Sequence, residues 1–304
     1  MAEPLGLGRP SRKTIMELSI IILNYNTKDL TIECISAVVE QYGEELQKDQ
    51  FEIILVDNAS TDGSAEAFKK LKTENLKLIE SKENLGFSKG CNLGAKNASG
   101  EYLLFLNSDT EIKDQGFVKM LDFFKKNENV GILGGALKNE NGTSQSSAGK
   151  FYNLVNLFLM LIGLERLGFL RESPKVIKQV DWVSGACLMI KRKIFEKIGG
   201  FEKELFMYGE DMELCFRALK KGSATYFYPE ITLFHKERGS SNRTFAVVHI
   251  YQAILFFYKH HKPGWQYQIT RFLLYTKSII LKNVGLIAGK KYLAETYGKT
   301  LELF

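Results

Sequence analysis

EYLLFLNSDT, residues 101–110, is the stretch that decides how this chain folds. Tyr102 to Leu106 form a short apolar run bounded by Gly100 on one side and polar residues on the other, the pattern of a buried strand. Asn107, Ser108 and Asp109 follow where the chain leaves that strand. In open α/β sheets, ligands bind beyond the carboxyl ends of the strands. A carboxylate at that edge can hold a divalent cation against a diphosphate. Mg2+ and Mn2+ prefer oxygen ligands and retain several waters, so one or two protein carboxylates are enough.

Upstream the chain alternates strand and helix. LSIIIL (18–23), FEIILVD (51–57) and LKLIE (76–80) read as strands, with helices at 29–42, 63–72 and 87–97. The βαβαβαβ order implies an α/β fold with a Rossmann-like, mostly parallel sheet and helices on both faces. Downstream, a helix at 116–126 and a strand near 130–134 precede a polar, turn-rich segment at 138–150 and an apolar, helix-like insert at 151–170. VDWVSGACLMI (180–190) reads as one strand, followed by helices at 191–198 and 211–221 and short strands at 224–228 and 231–235. From 245 the chain is helical and aromatic. The expected organisation is a leader, native or added, at 1–15, one elaborated domain at 16–244, and a helical, basic-aromatic extension at 245–304.

The net charge of +6 is unevenly placed: residues 1–15 carry +2, residues 245–304 carry +6, and the body between them carries −2. Nucleic acid is therefore not an expected partner of the body. The extension holds twelve aromatics in sixty positions, interleaved with eight Lys and Arg. Amphipathic helices on an anionic membrane surface, packing against the body, and a homodimer interface all fit that composition. The longest apolar segment, LVNLFLMLIGL at 154–164, is too short for a transmembrane helix. The N-terminus lacks the apolar core of a signal peptide. Cys34, Cys91, Cys187 and Cys215 form no CxxC pair and read as buried, reduced thiols, consistent with a cytoplasmic setting or the inner face of the cell membrane.

Several polar residues fall where elements end. Asn24 and Asn26 follow the first strand and Asp57 ends the second, where it could accept a hydrogen bond from N3–H of uracil or thymine. A turn or cap role is the alternative, for which Asp62 is better placed. ENLGFSKGCNLGA (83–95) brings Asn84, Gly86 and Asn92 to a helix start; its glycines permit either close approach of a nucleotide or close helix–sheet packing. Glu210 and Asp211 stand at a helix N-terminus, whose dipole favours their ionised forms. There a carboxylate can take a proton from an attacking hydroxyl, or simply complement the helix end. His235 closes an apolar strand and could complete a metal shell or be structural. Arg238 and Arg243, in the loop that follows, could neutralise phosphates. Trp182, beside Ser184 and Gly185, offers an aromatic face to a sugar or to the core.

NYN, VDNASTDGS, ENLGFSKGCN, NSDTE, WVSGACLMIKR, GEDMELCFR and the late His occur in an order and spacing that resemble glycosyltransferase family 2, whose fold is GT-A. The resemblance covers roughly residues 16–245 and is nearest the bacterial rhamnosyltransferase and galactofuranosyltransferase branch. It implies that Asp57 binds a pyrimidine base alongside Asn24, Asn26, Asn84, Gly86, Asn92, Asn107 and Ser108. It makes Asp109 the metal-binding carboxylate of a DXD-like motif, with His235 as second protein ligand for Mg2+ or Mn2+. Asp211 becomes the base of an inverting, single-displacement transfer, and Trp182, Ser184, Gly185 and Glu210 form the acceptor site. The expected donor is a dTDP- or UDP-sugar, with dTDP-L-rhamnose first and UDP-galactofuranose next. The expected acceptor is a cell-surface polysaccharide or lipid-linked glycan precursor. Asn107 replaces the first acid of the motif and leaves fewer charged ligands for a metal. A sugar-nucleotide pyrophosphorylase would need a Gly-rich basic loop where LNYNTKDL stands, and an inactive binding module has no use for both Asp109 and Asp211.

Overall fold

The computed structural model describes residues 16–164, 170–236 and 242–304; the expected leader at 1–15, part of the 151–170 insert and Arg238 lie outside the described residues. Strands β1 (Leu18–Asn24), β2 (Phe51–Asp57), β3 (Leu76–Glu80) and β4 (Tyr102–Asn107) alternate with helices α1 (Lys28–Gln47), α2 (Ser64–Phe68) and α3 (Gly86–Lys96). β1, β2 and β4 are almost wholly buried, as near-continuous apolar runs must be when helices cover both faces of a sheet. They run parallel and in register, so Asn24 lies level with Asp57 and Leu23 with Asn107.

The chain continues through β5 (Thr110–Ile112), α4 (Gly116–Lys126), β6 (Val130–Lys138), β7 (Ser144–Gln145), β8 (Ala148–Gly149), α5 (Leu154–Leu161), β9 (Arg171–Glu172), β10 (Lys178–Val180), β11 (Trp182–Val183), β12 (Cys187–Lys191), α6 (Arg192–Lys197), α7 (Glu210–Lys220) and β13 (Ala224–His235). The main sheet has the order β10-β13-β6-β12-β4-β1-β2-β3, and a small one the order β11-β8-β9. Its β1–β4 half is parallel, whereas β12 runs antiparallel to both β4 and β6. The start of β12 therefore lies at the same edge as the ends of β1, β2 and β4.

Four segment expectations change. The 180–190 strand is broken: β11 pairs in the small sheet, the chain turns at Ser184–Ala186, and β12 joins the main one. The helix expected at 63–72 is only Ser64–Phe68. That expected to end at 42 continues to Gln47 through a non-helical Tyr42 (φ −128°, ψ 23°). The pair of short strands at 224–228 and 231–235 is one strand with a register shift.

The extension separates into two parts. Helix α8 (Arg243–His261) buries Tyr251, Ile254, Phe257 and Tyr258, and packs on the domain through Phe206–Phe245, Tyr152–Phe257 and Phe216–Phe257 ring contacts. Helices α9 (Gly264–Ile287) and α10 (Lys291–Leu301) form a hairpin on its far side, closed by a Thr300–Ser278 hydrogen bond of 2.8 Å.

Helix α3 meets the parallel strands through glycines: a Cβ on Gly90 would come 2.5 Å from Leu23, and one on Gly94 2.5 Å from Ile21 and 3.2 Å from Val56. Both Ile21 and Val56 are stiff, buried and β-branched, so neither can move aside. Gly94→Val is expected to cost about 1–3 kcal/mol by overpacking, read as a lower urea midpoint at unchanged slope.

Candidate active site

The carboxyl edge of the parallel strands is a network of buried polar groups. Asn24, fully buried, donates its Nδ2 to Asp57 Oδ1 (2.7 Å) and to Ser60 Oγ (2.8 Å), and its Oδ1 accepts from Thr27 and Thr31. Asp57 is 3% exposed, and its Oδ2 accepts from Ser60 N–H at 3.3 Å. A carboxylate offers about four acceptor sites, so two remain for a ligand's N–H. Asn26, at φ 53°, turns the chain so that its backbone N–H reaches Ser60 Oγ and its side chain accepts from Thr61 N–H. Asp62 accepts from Ser64 and Lys28 N–H, the turn role the sequence suggested for it.

One strand over, Asp109 is 8% exposed and its Oδ1 lies 3.2 Å from His235 Nε2, which also stands 3.2 Å from Asn107 Nδ2. The antiparallel pairing of β13 with β5 sets His235 opposite Thr110 and so delivers it there. Gln145 decides the imidazole's tautomer. Its Nε2 donates to the His235 carbonyl (2.8 Å) and to Asn139 Oδ1 (2.7 Å), leaving Oε1 to accept from His235 Nδ1 at 2.9 Å. Nδ1–H thus points at Gln145, which turns Nε2 toward Asp109 Oδ1 and Asn107 Nδ2. Nε2 and Asp109 Oδ1 stand 3.2 Å apart, an imidazole and a carboxylate of the kinds that can share one divalent ion. Cis ligands of an octahedral ion bonded at about 2.1 Å lie about 3.0 Å apart, which this pair matches. Among the described residues no group of three or more His, Cys, Asp or Glu is placed to hold a metal ion, so a metal here would draw its other ligands from substrate and water.

The acid pair sits at the start of α7, behind Gly209 at φ 83°. A Cβ on Gly209 would lie 2.7 Å from Ala253 Cβ, so α8 closes directly over this turn. Asp211 is half-buried; its Oδ2 accepts from Gly185 N–H (3.1 Å) and its Oδ1 from Met212 N–H (2.7 Å). Burial raises its pKa, opposed by those two N–H groups and by the nearby Arg171 charge. Glu210 is buried with Oε2 unpartnered, and its pKa is raised by burial and then by Asp211. Burial thus holds Glu210 toward its protonated form, whereas Asp211 sits half-buried in a cradle of two N–H donors. Two residues on, Glu213 anchors the helix. Burial opposes its charge, but bonds from His261 Nε2 (2.9 Å) and a bidentate Arg217 outweigh this and hold its pKa down.

The remaining expected site residues are placed as follows. Ser108 hydrogen-bonds Thr27 at 3.1 Å beside the Asp109 turn. Ser184 and Gly185 form the turn into β12, against Asp211. Trp182 is 7% exposed, its indole N–H donates to Lys150 O (3.1 Å), and Arg171 covers its ring at 5.3 Å. Asn84 accepts from Asn58 Nδ2 and Gly86 N–H, forming a turn. Gly86, at φ 73°, lets the Phe206 carbonyl pass where a Cβ would lie 2.5 Å from it. Asn92 uses both halves of its amide on the Phe201 backbone (2.8 and 2.9 Å). Arg243 departs from the expected phosphate-facing loop: it opens α8, and its guanidinium stacks 5.2 Å from Tyr292. Gln145, Arg171 and Glu213 were not anticipated. Gln145 lies in a polar stretch that reads as loop, and only tertiary contact gives the other two their partners.

With this geometry, the chain matches the model of Glycosyl transferase family 2 over residues 19–199 and belongs to that family. It is an enzyme, a glycosyltransferase of the GT-A fold. It is 25% identical over 242 residues to the N-acetylglucosaminyl-diphospho-decaprenol L-rhamnosyltransferase of Mycobacterium tuberculosis, covering 70% of this chain and 76% of that protein. It is 28% identical to the Haloferax volcanii low-salt glycan biosynthesis hexosyltransferase Agl10, covering 67% of this chain and 62% of the relative. Among solved structures, the Pyrobaculum calidifontis mannosyltransferase in complex with GDP-Man and Mn2+ superimposes with a TM-score of 0.55 at 16% identity, over 93% of this chain and 84% of that one. The GalNAc-T7 structure with UDP, GalNAc and Mn2+ gives a TM-score of 0.59 at 15% identity, over 80% and 48%.

Because burial favours the neutral Glu210, the folded chain keeps this proton to higher pH than the unfolded one, and stability falls as pH rises from the ordinary carboxylate range through the raised value. Glu210→Gln removes that titration. It is expected to match the parent's melting temperature near pH 5 and exceed it by about 2–4 °C or more near pH 9 in calorimetry.

Proposed function

We propose that this chain transfers a sugar, with inversion, from a dTDP- or UDP-sugar to a hydroxyl of a cell-surface or lipid-linked glycan precursor. The observation that supports the reading is the placement of Asp211: a half-buried carboxylate at a helix N-terminus, bonded to Gly185 N–H in the turn that leads into β12 at the edge where β1, β2 and β4 end. Asp57 would accept the pyrimidine N3–H with the acceptor sites left free by Asn24 and Ser60. Asp109 and His235 would hold Mg2+ or Mn2+ together with the donor diphosphate, and the cation supplies charge that stabilises the departing diphosphate. Asp211 would take the acceptor hydroxyl's proton as that oxygen bonds to the anomeric carbon and the nucleoside diphosphate leaves with the electron pair of the broken bond. Glu210, kept protonated beside it, is unsuited to act as a nucleophile, which favours a single displacement and hence inversion. The names of the relatives, an L-rhamnosyltransferase and a glycan biosynthesis hexosyltransferase, support dTDP-L-rhamnose as first donor to try.

Screening dTDP-, UDP- and GDP-sugars by thermal shift with and without Mn2+, then assaying transfer, tests the reading. A pyrimidine sugar nucleotide is expected to stabilise the chain in a metal-dependent way, and a GDP-sugar preference would refute the role of Asp57. Asp211→Asn is expected to bind donor normally while transfer falls about 10²–10⁴-fold; undiminished transfer by a folded variant removes Asp211 as base. Gln145→Leu, which frees the imidazole to rotate and change tautomer, is expected to weaken Mn2+ binding about 10–100-fold by direct titration with the fold intact.

A further inference from the structure

Helix α9 has one packed face of mostly small residues and, opposite it, an apolar face left exposed. One buries Thr270, Leu274, Ser278 and Gly285 against α8 and α10. The other, at helical spacing, exposes Trp265, Ile269, Phe272, Ile280, Val284 and Ile287, with Phe272 67% and Ile287 89% exposed. Lys277 Nζ donates to Leu161 O at 2.7 Å and so fastens α9 to α5, which adds its own exposed Val155 and Phe158. Contiguous exposure of this kind on a folded chain marks an interaction surface. Arg271, whose guanidinium also donates to the Phe304 carbonyl, Lys282 and the α5-bonded Lys277 border the α9 stripe, and no acid occurs between residues 245 and 294.

We propose that the outward face of α9, continued by α5, seats on an anionic lipid bilayer. The stripe matches the acyl boundary and its basic borders match anionic headgroups, the arrangement of a helix lying in the interface plane. No helix among the described residues is long and apolar enough to cross a membrane, so the surface lies on the bilayer and does not span it. A second copy of the chain fits less well, because a two-fold interface would bring the same basic borders together without acids to meet them. The surface also leads to the acceptor side of the cleft. α5 begins four residues after Lys150, whose carbonyl holds Trp182, and Trp182 pairs with Gly149 in the small sheet. A bilayer beneath α5 would present a lipid-carried hydroxyl there, although the seating itself does not depend on the proposed transfer.

Co-sedimentation of the full chain with phosphatidylcholine vesicles, with and without phosphatidylglycerol, tests this. Binding to the phosphatidylglycerol vesicles at low salt is expected, falling several-fold in high salt or on phosphatidylcholine alone. Phe272→Asp with Ile280→Asp is expected to weaken it by about tenfold or more at an unchanged melting temperature. If that pair fails to fold, Ile287→Asp serves the same comparison. Absence of binding to anionic vesicles, or binding indifferent to these substitutions, overturns the proposal. So does a dimer in sedimentation velocity that the same substitutions convert to monomer. Transfer to a soluble acceptor that persists when vesicle binding is lost separates this surface from the catalytic reading.

Discussion

A carboxylate withdrawn from water must be met by donors or give up its charge, and the architecture of this enzyme follows from that requirement. Asp57 is met by Asn24 and a backbone N–H, Asp211 by two backbone N–H groups, and Glu213 by His261 and Arg217. Glu210 receives no such donors at Oε2 and holds its proton instead. Asp109 is met by the His235 imidazole 3.2 Å away, the pair proposed above to hold a cation. Each of these five acids is therefore set by what surrounds it, though the chemistry of the side chains is the same.

The means of supplying those donors is the register of the sheet. Parallel pairing levels Asn24 with Asp57, antiparallel pairing of β12 returns the Ser184–Ala186 turn to the same edge, and β13 brings His235 to Thr110. A slip of one residue in any of these pairs would turn the polar group to the opposite face of the sheet. Helix α8 then covers the Gly209 turn and clamps Glu213 through His261, so the start of the helical extension is part of the machinery that orients Asp211. Only α9 and α10 stand beyond it.

Much of this was legible in the residues. The apolar runs of β1, β2 and β4 specify buried parallel strands, and the acids after them mark the ligand edge, because strand ends of that kind converge whatever lies between. The glycines of α3 were open to two readings, and Leu23, Ile21 and Val56 account for two of them as close helix–sheet packing. Asn92 and Arg243 show the opposite limit: an amide or guanidinium suits substrate as well as it suits a neighbour, and Phe201 and Tyr292 claimed them.

Periodicity and motif order by themselves determined the α/β class, the family resemblance and the candidate acids, since those depend on which side chains alternate and which polar residues end a strand. Three things were decided only in the folded chain. The break of 180–190 across two sheets depends on pairing partners more than thirty residues away. The tautomer of His235 depends on Gln145, ninety residues earlier in the sequence. The division of residues 245–304 into a buried clamp and an exposed apolar stripe depends on which face of each helix finds a neighbour. A local pattern records what a side chain is able to do. Its protonation, exposure and partner are properties of the groups that long-range packing sets against it.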